Sequence, residues 1–290
     1  TAYNAGARIH TNSWGSSATS TQGEYTSEAE AVDDRSFNYD KVSNGQEGLT
    51  ILFAAGNDGP NPGTVGSPST AKNVVTVGNH QARYSGAPDN LMSGSSRGPT
   101  DDGRIKPDII APGGYVRSCR AQEAQDTGGS SWQSTWYLEY TGTSMATPNA
   151  AGAATLIREY LIEIAQRPSP QGALVKALLV LGAQDINSRD IPNNDEGWGR
   201  VNLKETLAPS QGRGIWVDDR SVLTSSGTSK SYVFNVTHAN SQLKTVLAWS
   251  DYRGSRFASK ALVNDLDLEV ESPDGTVYLG NDFANGRSTT

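Results

Sequence analysis

Residues 140–152 read YTGTSMATPNAAG, a Gly-Thr-Ser turn running directly into a small-residue, helix-forming stretch. A serine placed there, Ser144, holds its hydroxyl at the mouth of a helix, beside N–H groups with no intrahelical acceptor. Such a hydroxyl is a weak nucleophile until a base takes its proton. Upstream, GLTILFAAGN is a continuous apolar run ending on Asn57, as expected of a strand buried on both faces. Asn57 then falls just past the carboxyl end of that strand, where parallel-sheet proteins build their sites. Taken singly, both segments have simpler readings. Ser and Thr before a helix are common N-caps, and Asn ahead of Asp58-Gly59 is a common turn residue.

The elements that must position these groups follow from the hydrophobic pattern. ARIHTNSW (7–14), GLTILFAAGN (48–57), KNVVTVGN (72–79) and KPDIIAPG (106–113) read as short strands bounded by turn residues. SEAEAVDDRSFNYDKV opens on Ser27 with Glu30 three residues on, the pattern of a capping box. Residues 146–166 and 173–183 read as two further helices. Alternating short strands and helices predict an α/β fold, a mostly parallel sheet flanked by helices. Beyond EGWGRVNLKETLAPSQGRG the character changes. SYVFNVT, KTVLAWS, LDLEVES and TVYLGN are alternating strand patterns, with SPDG as a tight turn between the last two. A boundary near Pro209–Gly214 divides the chain into domains at 1–210 and 211–290, the second all-β.

The net charge of −7 argues against nucleic acid or an anionic membrane surface as partner. No apolar run reaches the roughly 18 residues of a membrane span. The lone cysteine, Cys119, excludes an internal disulfide and a zinc–thiolate cluster.

With GTSMATP, FAAGNDGP and the connecting SSRGPTDDGRIKPDIIAPG in this order, the chain resembles the subtilisin-like serine peptidases, or subtilases, along essentially its whole length. The all-β tail, including VNDLDL, resembles the C-terminal β-barrel of the oxidatively stable alkaline subtilases of bacilli. The resemblance implies a serine endopeptidase with Ser144 as nucleophile and Asn57 donating its amide to the oxyanion, the Ser144 N–H being the second donor. It implies that Ser13, Trp14 and Gly15 pair with the substrate backbone. Ala54, Ala55 and Gly56 then form one wall of the specificity pocket, with room for a large apolar side chain. It also implies a secreted protein acting on protein or peptide substrates, an incomplete subtilisin-like sheet, and an incomplete jelly-roll-like barrel.

The departure from the family lies in the base. The triad needs a histidine and a carboxylate, in the chain order Asp, His, Ser. His10, His80 and His238 do not stand in the family setting, and the Asp126-Thr127-Gly128 match falls after the asparagine segment, in a polar loop. The resemblance therefore implies that Asp and His lie in an N-terminal segment not included here, which acts as partner to this chain. Asn149-Ala150 stands where many subtilases carry a His-Val pair, and Met145 sits beside the nucleophile as a target for oxidation. Calcium is the cofactor the resemblance suggests; the oxygen-rich candidates are Asp251 in WSDYRG and Asp265 and Asp267 in VNDLDL. Two other readings stand beside the peptidase. One is a non-catalytic scaffold derived from the same lineage. The other, an α/β-hydrolase, fails because GTSMA lacks the last glycine of the G-x-S-x-G elbow.

Overall fold

The computed structural model describes residues 1–40, 47–82, 88–121, 132–186, 190–208, 213–237, 242–285 and 287–290. Its centre is a four-stranded parallel sheet. The strands are β1 (Ile9–Asn12), β2 (Thr50–Ala54), β3 (Val75–Gln81) and β4 (Ile109–Gly114), side by side in sequence order. Leu52 pairs with Val75 and with Thr11, and Val77 pairs with Ile109. Successive side chains on β2 point to opposite faces, and both faces are covered. Leu52 packs with Val75, Val77 and Ile109 against one set of helices, while Ile51 and Phe53 pack with Ala29, Ala71 and Val74 on the other. Burial on both sides explains why GLTILF reads as an unbroken apolar run.

Helix α1 (Ser27–Asp40) covers one face; α2 (Thr143–Glu163) and α3 (Gly172–Leu181) cover the other. The predicted capping box at Ser27 does not form. Ser27 is already helical, and its hydroxyl contacts Glu28 at 3.2 Å in place of a backbone N–H. α2 begins at Thr143, three residues before the predicted start, because Gly142 releases the chain from the preceding turn straight into the helix. Its buried face is built from Ala146, Ala150, Ala153 and Ala154, followed by Ile157 and Leu161. The Asp40 carboxylate caps α3, accepting from the Gly172 and Ala173 amides at 2.9 and 3.1 Å.

A small antiparallel sheet stands beside the start of α2, with β7 (Tyr137–Tyr140) between β5 (Val116–Cys119) and β6 (Trp132–Gln133). After the short α4 (Leu203–Leu207), regular structure is sparse. The SPDG turn closes a hairpin of β8 (Glu269–Glu271) and β9 (Val277–Leu279), as predicted, with Gly275 at φ +86°. A second pair, β10 (Phe283–Ala284) and β11 (Arg287–Ser288), follows. The predicted strands at 231–237 and 244–250 join no ladder among the described residues, and Val233 is 99% exposed. A strand pattern yields a strand only where a neighbour supplies the other half of the ladder, and no described neighbour does so here. No barrel is formed among the described residues of this region. Residues 250–264 instead lie on the α/β core: Ser250 Oγ meets Asp40 at 2.5 Å, and the Ala261 N–H meets Asp102 at 2.9 Å.

Under the sheet lies a buried ionic cluster. The Asp108 carboxylate accepts from Lys106 Nζ at 2.7 Å, Lys176 Nζ at 2.8 Å and the Thr76 N–H at 2.7 Å. Desolvation works to raise the Asp108 pKa, but the two ammonium groups prevail and hold it at about 2. Burial pushes Lys106 down to about 7. Because Asp108 is held below its ordinary 3.8, its stabilisation is fully present above that value and is lost as pH falls towards 2. Replacing Asp108 by Asn takes away the anion that both lysines share, drives Lys106 further towards its neutral form, and should cost about 3–5 kcal/mol by urea unfolding at neutral pH. A loss under about 1 kcal/mol would mean that the cluster is solvated.

Candidate active site

The two candidate segments meet at the carboxyl ends of the strands. β7 delivers the chain through Thr141 and Gly142 into α2, and β2 delivers it through Ala55 and Gly56 to Asn57. Gly142 permits the approach, since a Cβ there would stand 3.3 Å from Asn57 Oδ1. Gly56 sits at φ +113°, and a Cβ on it would meet Ser96 Oγ at 2.7 Å, so this bend demands glycine.

Thr143 locks the pair. Its N–H donates to Asn57 Oδ1 at 2.9 Å, and its hydroxyl lies 3.1 Å from the same oxygen and 3.1 Å from Gly56 O. The hydroxyl has one proton to share between those two oxygens, so the N–H is the firm donor, and an amide whose oxygen is held in this way presents its NH2 group outward. Ser144, next along the chain, is second in α2, and its N–H has no acceptor among the described residues. The first turn of a helix carries partial positive charge, so a developing anion is favoured there. The Asn57 amide and the Ser144 N–H are thus two donors at one helix mouth, an arrangement that can stabilise an oxyanion.

The predicted substrate-binding residues surround this point. Ser13 follows β1, and its carbonyl lies 3.4 Å from Ser144 Oγ, a long contact for a hydroxyl donor. Trp14 is 58% exposed, its ring edge-on to Phe53 at 5.4 Å and its Nε1 donating to Asn12 Oδ1 at 3.2 Å. Asn12 in turn donates to Leu52 O at 3.1 Å, which anchors the loop to β2. Gly15 passes so close to Ser67 that a Cβ would be 3.1 Å from its carbonyl oxygen. On the facing side Ala54 and Ala55 are buried at the end of β2. Sequence reasoning missed the segment that joins the two sides. Gly66 N donates to Ala55 O at 3.1 Å, and Ser16 N donates to Ser67 O at 2.7 Å. The Val-Gly-Ser-Pro turn was the available signal, since a glycine there marks a close backbone approach. Thr143 was missed as the lock because it read as an N-cap.

The sequence profile of the Subtilase family matches residues 1–199 of the 290. The chain belongs to the subtilase family. The serine protease/ABC transporter B family protein tagD of Dictyostelium discoideum is 27% identical over 99% of this chain and 23% of its own length. Serine protease AprX of Bacillus subtilis is 38% identical over 55% of this chain and 35% of its own length. The chain therefore spans about a quarter to a third of these curated relatives. The self-cleaved protease domain of PatA matches in fold, with a TM-score of 0.51 and 23% identity over 71% of this chain and 63% of that one.

In this subtilase no histidine among the described residues reaches Ser144. His10 is exposed on β1, its Nδ1 2.8 Å from the Asn12 amide. His80 is buried on β3, its Nδ1 2.8 Å from Gln81 O, and burial pushes its pKa down. His238 and the Asp126–Gly128 match lie outside the described residues. The expected calcium ligands are not brought together. Asp251 is buried and its oxygens are taken: Oδ2 accepts from Lys72 Nζ at 2.5 Å and Val263 N at 2.9 Å, Oδ1 from Asn264 N at 2.9 Å and Asn264 Nδ2 at 2.8 Å. Four donors on a carboxylate, one of them an ammonium, leave neither lone pairs nor charge for a metal ion. Asp265 and Asp267 are exposed, and no group of three or more His, Cys, Asp or Glu assembles among the described residues. These residues do not fit calcium. Asp251→Asn should therefore lower Tm equally in calcium and in chelator. A loss seen only with calcium present would restore a metal at Asp251.

Proposed function

We propose that this chain carries the nucleophile, the oxyanion hole and the substrate walls of a serine endopeptidase whose general base comes from outside its described residues. One observation carries the reading: the Thr143 N–H holds the Asn57 oxygen, which turns the Asn57 amide outward beside the Ser144 N–H, and neither has an acceptor among the described residues. A peptide lies extended against Ser13–Gly15, with its apolar side chain between that loop and Ala54–Gly56. Ser144 Oγ attacks the scissile carbonyl, and the carbonyl electron pair moves onto oxygen, where Asn57 and the Ser144 N–H receive it. The serine proton passes to a histidine, which then protonates the departing amine, and water releases the acyl group from Ser144. An Asp- and His-bearing N-terminal segment is the partner that supplies this base. The tail sequence is the ground for likening the chain to the alkaline subtilases with a C-terminal barrel, and the lineage is the ground for expecting secretion.

A second reading, a scaffold that binds peptide without cleaving it, is favoured by the contact Ser144 does make, since its hydroxyl faces the Ser13 carbonyl and no base among the described residues.

Fluorophosphonate treatment read by intact mass separates the two, with the chain tested alone and together with an N-terminal polypeptide bearing Asp and His. The peptidase reading predicts one adduct in the paired sample, absent in Ser144→Ala. It also predicts capture slowed about 10²–10³-fold in Asn57→Ala, the scale set by the corresponding substitution in subtilisin. No adduct in the paired sample, with peptide still bound, would leave the scaffold.

A further inference from the structure

Helix α2 carries a proline inside its second turn, Pro148. Proline has no N–H, so the helical bond that would run from residue 148 to the Ser144 carbonyl cannot form. The carbonyl left without its helical donor belongs to the candidate nucleophile itself. It is served from across the site: Ser13 Oγ donates to Ser144 O at 2.8 Å. In the opposite sense Ser144 Oγ faces Ser13 O at 3.4 Å. The two serines, 131 positions apart in sequence, are therefore joined by one hydrogen bond, with a longer contact in the opposite sense. Thr143, bonded to Asn57, holds the chain just before Ser144, and Ser13 holds it just after.

We propose that Ser13 is a positioning residue for Ser144, its hydroxyl replacing the helix hydrogen bond that Pro148 deletes. This assignment deepens the peptidase reading and rests on it. It gives the Ser13 side chain a task separate from the pairing of its backbone with substrate. A main-chain donor at residue 148 would hold the Ser144 carbonyl whatever the state of the site. A side-chain donor from residues 13–15 holds it only while that loop is in place. The loop is itself pinned on both sides, by Asn12 to Leu52 O and by Ser16 N to Ser67 O, so the Ser13 hydroxyl carries that anchorage to the first turn of α2 and to the aim of the Ser144 N–H.

The test pairs loss with repair. Ser144–Met145 is the only Ser-Met step in the chain, so labelling with carbonyl-13C serine and 15N methionine gives one NMR cross-peak, reporting the Ser144 carbonyl. Ser13→Ala should move that carbonyl resonance upfield, and Ser13→Thr, which keeps the hydroxyl, should leave it near the wild-type position. Ser13→Ala combined with Pro148→Ala should return it, because alanine restores an N–H at the right place in the helix. An unmoved peak in Ser13→Ala, or no return in the double variant, would overturn the proposal. This readout needs no activity, so it stands even if Ser144 proves not to be a nucleophile. Where Ser144 is captured by fluorophosphonate, Ser13→Ala should slow capture about tenfold, the scale of one net hydrogen bond, and Pro148→Ala should recover most of it. Equal slowing in the single and double variants would contradict the positioning role.

Discussion

Helix α2 meets the sheet through alanine. Ala146, Ala150 and Ala154 are fully buried, and with no side chain longer than a methyl between them the helix axis can lie close over Leu52, Val77 and Ile109. That close packing sets where the helix begins, and its beginning lies at the carboxyl ends of the parallel strands. Everything chemical in the site follows from this placement. A positive helix end, with the Ser144 N–H left without an acceptor among the described residues, is delivered to the same edge at which β2 releases Gly56 and Asn57. Larger residues at 146 or 150 would lift the helix and separate Thr143 from Asn57, with no need to touch either.

The parts legible in the sequence were those written in local punctuation. GLTILFAAGN announced a strand buried on both faces and a polar residue at its end, and GTSMATP announced a turn opening a helix. Both stand where they were expected, and so does the hairpin at SPDG. Illegible were the contacts that depend on two distant segments arriving together. Nothing near Thr143 shows that Asn57 lies 86 positions upstream to receive its N–H. Nothing near Asp251 shows Lys72, 179 positions away, whose ammonium occupies the place a metal ion was expected to take. The tail strands failed for a related reason. Alternation specifies a strand's two faces, while the ladder depends on a neighbour that the pattern does not name.

Buried charge in this molecule is handled by pairing. Lys106 and Lys176 share Asp108, Lys72 meets Asp251, and Asp33 accepts from Tyr25 and from the Lys72 and Asn73 amides. These clusters tie α1, the sheet, α3 and residues 250–264 to one another, and Ile215 and Val217 of the tail add apolar packing against the core. Removing one partner of such a cluster is costly even where the intact cluster adds little net stability.

If the oxyanion hole and nucleophile are assembled in this chain while the base lies outside its described residues, imidazole should rescue the missing proton transfer. Fluorophosphonate capture at Ser144 by the chain alone should then be slow, rise in proportion to added imidazole and vanish in Ser144→Ala. Rapid capture that ignores imidazole would show a base already within the chain. No capture at any imidazole concentration would show that the donors and the hydroxyl are not aligned.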